Sequence, residues 1–105
     1  MTRLVKLVRL NGLQYNANRD PQAYRRAVGE PFRIEALLAA DARCTLRDAG
    51  GKILAEAAVP AGGTFAHALT FDRPGVHLVT LSAARGADAF DLDLRLDVLA
   101  HAWIG

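Results

Sequence analysis

The sequence predicts an all-β fold, a sandwich of about seven antiparallel strands in two sheets, and three observations carry that prediction. Apolar residues alternate with polar ones along most of the chain, the period that buries one face of a strand and wets the other. Turn residues break the pattern at spacings of about ten residues, which suits a sandwich. In the run Phe90-Asp91-Leu92-Asp93-Leu94-Arg95-Leu96-Asp97-Val98 the alternation is strict, and a helix would scatter its charges around the whole circumference.

The elements follow in chain order. In the first ten residues Leu4, Leu7 and Val8 fit a helical stripe. The β-branched Val5 and Val8 and the strand-rich context favour an edge strand with a bulge. Asp20 and Pro21 supply a helix start and Gly29 a stop, which predicts one short helical turn near 21–28. A short irregular strand fits that segment nearly as well, because so short a helix is unstable without packing. Phe32, Ile34, Ala36 and Leu38 then share one face, and Arg43 to Arg47 is a further short alternation. Ala49-Gly50-Gly51 turns that run into Ile53, Ala55 and Ala57, a hairpin pattern closed by Pro60-Ala61-Gly62-Gly63. Phe65, His67, Leu69 and Phe71 align next. Asp72-Arg73-Pro74-Gly75 turns the chain into Val76 to Ala83, with His77, Val79 and Leu81 on one face.

Composition narrows the function classes. The 105 residues, 51% hydrophobic and 23% charged, read as one globular domain over 1–105. A net charge of +2 is too small to argue for nucleic acid. No apolar run approaches the length of a spanning helix. Arg3, Lys6 and Arg9 interrupt the N-terminus, so it does not read as a secretory signal. The expectation is a cytoplasmic protein, with a mature secreted domain as the other reading. Basic residues outnumber acidic ones seven to three over residues 1–35, and acidic outnumber basic five to three over 72–105. Solvated strand faces explain this, and so does a charge-matched contact between chains.

Three stretches carry a family resemblance: "GEPFRIEALLAAD", "RCTLRDAGGKILAEA" and "GTFAHALTFDRPGVHLVTLSA". Together they resemble bacterial immunoglobulin-like domains of the fibronectin-III and PKD kind over about half of the chain. The resemblance implies an immunoglobulin-like sandwich, with the third stretch as the penultimate hairpin. It implies no particular function, since such sandwiches serve many roles. His77 stands where these domains often carry a tyrosine that bonds back to the corner. The tryptophan and cysteine pair of antibody domains is absent. The segment from Asn11 to Val28 is longer than a first connection needs.

Chemistry is sparse. His67 and His77 flank the Pro74-Gly75 corner and would bind a metal only if they met, with Cys44 or an aspartate as a further ligand. The stronger reading makes His77 a corner residue bonded to backbone and sets His67 near an edge. Cys44, the one cysteine, reads as a small buried hydrophobe and not as a reactive thiol. Ser82, the one serine, lies on a strand and not on a nucleophile elbow. The sequence therefore predicts neither an enzyme nor a cofactor or metal site.

Binding is the function class that remains. Tyr15, Tyr24, Arg25 and Arg26 have the composition of interface anchors, though the tyrosines could equally cover the open end of the sandwich. His101 and Trp103 lie in an apolar tail that either folds back or docks on another chain. The expectation is a noncatalytic interaction or accessory module whose partner is a protein or a second copy, with neither nucleic acid nor membrane involved. The alternative is a small-ligand or carbohydrate-binding sandwich.

Overall fold

The computed structural model describes residues 4–16, 18 and 24–100. They form nine strands: β1 (Val5–Leu10), β2 (Leu13–Gln14), β3 (Arg26–Ala27), β4 (Phe32–Leu38), β5 (Ala42–Asp48), β6 (Ile53–Val59), β7 (Thr64–Leu69), β8 (Gly75–Arg85) and β9 (Asp88–Leu99). One sheet runs β2-β1-β4-β7, the other β3-β9-β8-β5-β6. The fold is all-β, two sheets sharing one core.

Strict alternation builds that core. Phe32, Ile34, Ala36 and Leu38 bury one face of β4, while Val79 and Leu81 of β8 and Leu94 and Leu96 of β9 supply the other sheet. Asp91, Asp93 and Arg95 face solvent between them. Cys44 is fully buried beside Leu46 on β5. Burial pushes its thiol pKa up, so it packs as a small hydrophobe. In β1 a bulge between Val5 and Leu7 shifts the phase, which lets Leu4, Val5, Val8 and Leu10 all reach the interior.

Two expectations need correction, and a third resolves to its alternative. The strands are not all antiparallel, because β3 pairs parallel to β9, Arg26 opposite Val98 and Ala27 opposite Leu99. Of the segment 21–28, where a helical turn or a short irregular strand is expected, residues 21–23 lie outside the described residues, Tyr24 is in a 3-10 conformation and Arg26–Ala27 take the strand alternative. The border of β9 takes up their backbone groups, and Val28 N–H extends the pairing to Leu99 O at 2.9 Å. Finally, β7 and β8 do not form a hairpin. The Asp72–Gly75 corner carries the chain from the first sheet to the second, β7 pairing with β4 and β8 with β5 and β9. Gly75 enters β8 at φ 121°, a conformation that side-chain-bearing residues avoid.

One hairpin escapes the alternation argument. Asn11 and Gly12 both have positive φ, 56° and 83°, and join β1 to β2 in a two-residue turn. The Asn11 side chain donates to Tyr24 O at 2.8 Å and accepts from Arg33 N–H at 2.9 Å. It thereby ties the long early segment to the start of β4.

Candidate functional site

The two borders of the second sheet differ. At β9, the pairing with β3 closes the C-terminal end, and the Arg95 N–H donates to the Tyr15 hydroxyl at 3.3 Å. Asp91 and Asp93 are exposed along the rest of that strand. At β6, no hydrogen bond other than those to β5 reaches the backbone of Ile53–Val59 among the described residues. The strand reads ILAEAAV, with one ionisable side chain and no proline.

That one charge is already matched. Glu56 Oε1 lies 2.6 Å from Arg43 Nη2. The hydrogen bond from Arg43 holds the Glu56 carboxyl below the usual glutamate range, and the same contact raises Arg43. Thr45 Oγ1 adds a longer bond to Glu56 Oε2 at 3.4 Å.

The rest of this outer face is a lattice of cross-strand polar pairs. Ser82 Oγ donates to Asp91 Oδ1 at 2.6 Å, and Thr80 Oγ1 donates to Asp93 Oδ1 at 2.8 Å. Arg95 Nε reaches Asp97 Oδ1 at 3.0 Å. Such pairs hold the carboxylates as hydrogen-bond acceptors and tie neighbouring strands together. At one end of the face the polarity changes. Ile53 on β6 and Val76 and Leu78 on β8 are 50%, 55% and 52% exposed. The register places Ile53 opposite Arg47 and Arg47 opposite Thr80, one row from Leu78.

Among the described residues, no three His, Cys, Asp or Glu side chains gather to hold a metal. His67 lies on β7 of the first sheet and His77 on β8 of the second. The His77 ring stacks on Phe71 with centroids 4.2 Å apart, and its Nε2 meets Arg73 O at 2.9 Å. His77 thus ties the corner down. A shallow depression of about 520 Å³ is lined by Asp41, Arg43, Ala58, Val59, Ala84 and Arg85 among others. Both of its guanidiniums have partners, Arg43 with Glu56 and Arg85 with Asp41 at 3.3 Å.

The residues singled out in the sequence divide accordingly. Tyr24 is buried, 1% exposed, and its hydroxyl donates to Gln14 O at 2.9 Å and accepts from Asn16 N–H at 3.0 Å. It is a core residue that presents no face to a partner. Tyr15 packs on it with centroids 5.3 Å apart and turns its hydroxyl to β9. Arg25 and Arg26 are half-buried beside them, Arg26 donating to the Arg25 carbonyl at 2.9 Å. His101 and Trp103 lie outside the described residues. Sequence reasoning missed the open β6 border and the Ile53, Val76 and Leu78 cluster. The single charge in ILAEAAV was a signal for the first; the second depends on a register that no local pattern states.

No protein-family model matches the chain, and no curated protein or solved structure matches it significantly.

Proposed function

We propose that this chain is a noncatalytic protein-interaction module of immunoglobulin-like architecture, working as a homo-oligomer or as a subunit of a larger complex. The strand orders support the architecture: β1-β4-β7 faces β9-β8-β5-β6, so the fourth strand pairs with the first and seventh while the fifth and sixth cross to the other sheet. One observation carries the function. Three of the four large hydrophobic side chains exposed among the described residues lie toward one end of a single sheet face, Val76 and Leu78 on β8 and Ile53 across Arg47 from them. Exposed apolar residues scattered singly need no explanation, but a cluster rimmed by polar groups marks a contact surface.

The test is capture of partners from native-host extract by the wild-type chain and by a Val76→Arg/Leu78→Arg variant. A binding protein retained by the wild type and lost by a variant of unchanged melting temperature supports the reading. Equal capture by both, or capture by neither, overturns it for a partner other than a second copy.

A further inference from the structure

We infer that β6 is a self-association edge: two copies of this chain pair β6 against β6, antiparallel, about a two-fold axis at Ala57. The two second sheets then become one continuous sheet. This rests on the interaction reading above and names the partner.

Among the described residues the outer N–H and C=O groups of Ile53–Val59 have no hydrogen-bond partner; the pairing with β5 bulges at Leu54, so the regular open row of donors and acceptors is Ala55–Val59. Such edges invite pairing unless charge, proline, a bulge or a cover prevents it. The other borders carry these protections or a bulky group. At β9 they are the aspartates, Tyr15 and β3. Lys6 and Arg9 are exposed along β1, and β2 lies against its end. The β7 edge has His67 at mid-strand. On β6 the one charge, Glu56, already has Arg43, so the strand makes no demand for an oppositely charged partner. A neutral strand satisfies such an edge best, and a second β6 is one.

Charge also selects the register. An axis at Glu56 would set two carboxylates face to face, which is unfavourable across strands. An axis at Ala57 pairs Glu56 with the copy's Ala58, Ala55 with its Val59, and Ala57 with its own counterpart. All of these contacts are small enough for two edges to approach. Ala57 lies opposite buried Cys44 but is itself exposed at the open edge, so a charged side chain placed there can reach solvent.

The experiment is light scattering behind a sizing column, over a concentration series, on wild type, A57K, A57E and an equimolar mixture of the two variants. The wild type is expected to dimerise. Each variant alone should dimerise roughly fivefold or more weakly, because like charges meet on the axis. The mixture should recover the dimer, because opposite charges then meet there. Circular dichroism melts verify that both variants fold. A wild type that stays monomeric overturns the inference. So does a dimer that neither charge weakens, or weakened variants that mixing does not rescue. A dimer that withstands both charges but yields to Leu78→Arg overturns the β6 edge while keeping the interaction reading. Failure of that reading shows separately, as a monomer that also captures nothing from extract.

Discussion

The two borders of the second sheet, β9 and β6, face the same hazard and meet it differently. Both expose backbone groups that another strand could take up. At β9 the long early segment returns to the sheet, with Tyr15 bonded to Arg95 N–H and β3 laid alongside Val98 and Leu99. Aspartates guard the remainder. At β6 no such cover exists among the described residues, and apart from Glu56 the strand carries only apolar side chains. The comparison teaches where the extra residues between β1 and β4 are used: they shield one border. An edge left open beside so much shielding is the more informative feature.

The comparison is most severely tested at mid-strand. Leu94 of β9 is fully buried, so Leu94→Asp should cost more than roughly 4 kcal/mol by placing an unpaired charge in the core. Ala57 of β6 is exposed, so Ala57→Asp should change monomer stability by only about 0.5 kcal/mol or less. Urea unfolding of the two variants decides this, and equal losses would refute the contrast. Next in size is Tyr24→Phe, which strips the hydroxyl from Gln14 O and Asn16 N–H and should cost about 1–3 kcal/mol in the same assay. Tyr15→Phe should cost less, below about 1 kcal/mol, since the bond it removes is long. Its signature is local: faster amide exchange at Arg95, with β6 amides unaffected.

Smallest of all is Glu56→Gln, read as a pH profile. Folding lowers the Glu56 pKa through the Arg43 hydrogen bond, so the contribution is present above the ordinary glutamate range and lost as pH falls through the lowered value. The stability curves of wild type and variant should differ near neutrality and converge in acid. The pair is exposed, so a low-salt buffer gives the clearest difference.

Much of the fold was legible because alternation reports burial directly. β4, β8 and β9 follow the faces that Phe32, Ile34, Val79 and Leu94 predict. Pro74-Gly75 was legible as a turn, but not as a crossing between sheets, because turn chemistry states that the chain bends and not which strand it joins. β3 was obscured by Asp20 and Pro21, which read as a helix start, whereas its structure comes from pairing with a strand at the far end of the chain. The Asn11-Gly12 hairpin had a clear signal, two adjacent residues suited to positive φ, that went unread amid a long segment. Tyr24 shows why the candidate site was the least legible part. Tyrosine beside arginine has the composition of an interface and equally that of a core edge, and only burial separates the two.

The cover on β9 has a consequence for how the chain is made. Tyr15, Arg26 and Ala27 leave the ribosome early, yet the strand they close against is the last to emerge. Tyr15 and Arg95 stand eighty residues apart in sequence. The shield therefore closes a long loop, whereas β8 and β9 pair through a short local turn that costs far less to close. Until the shield seats, the β9 border lacks the cover that the early segment gives it in the folded chain.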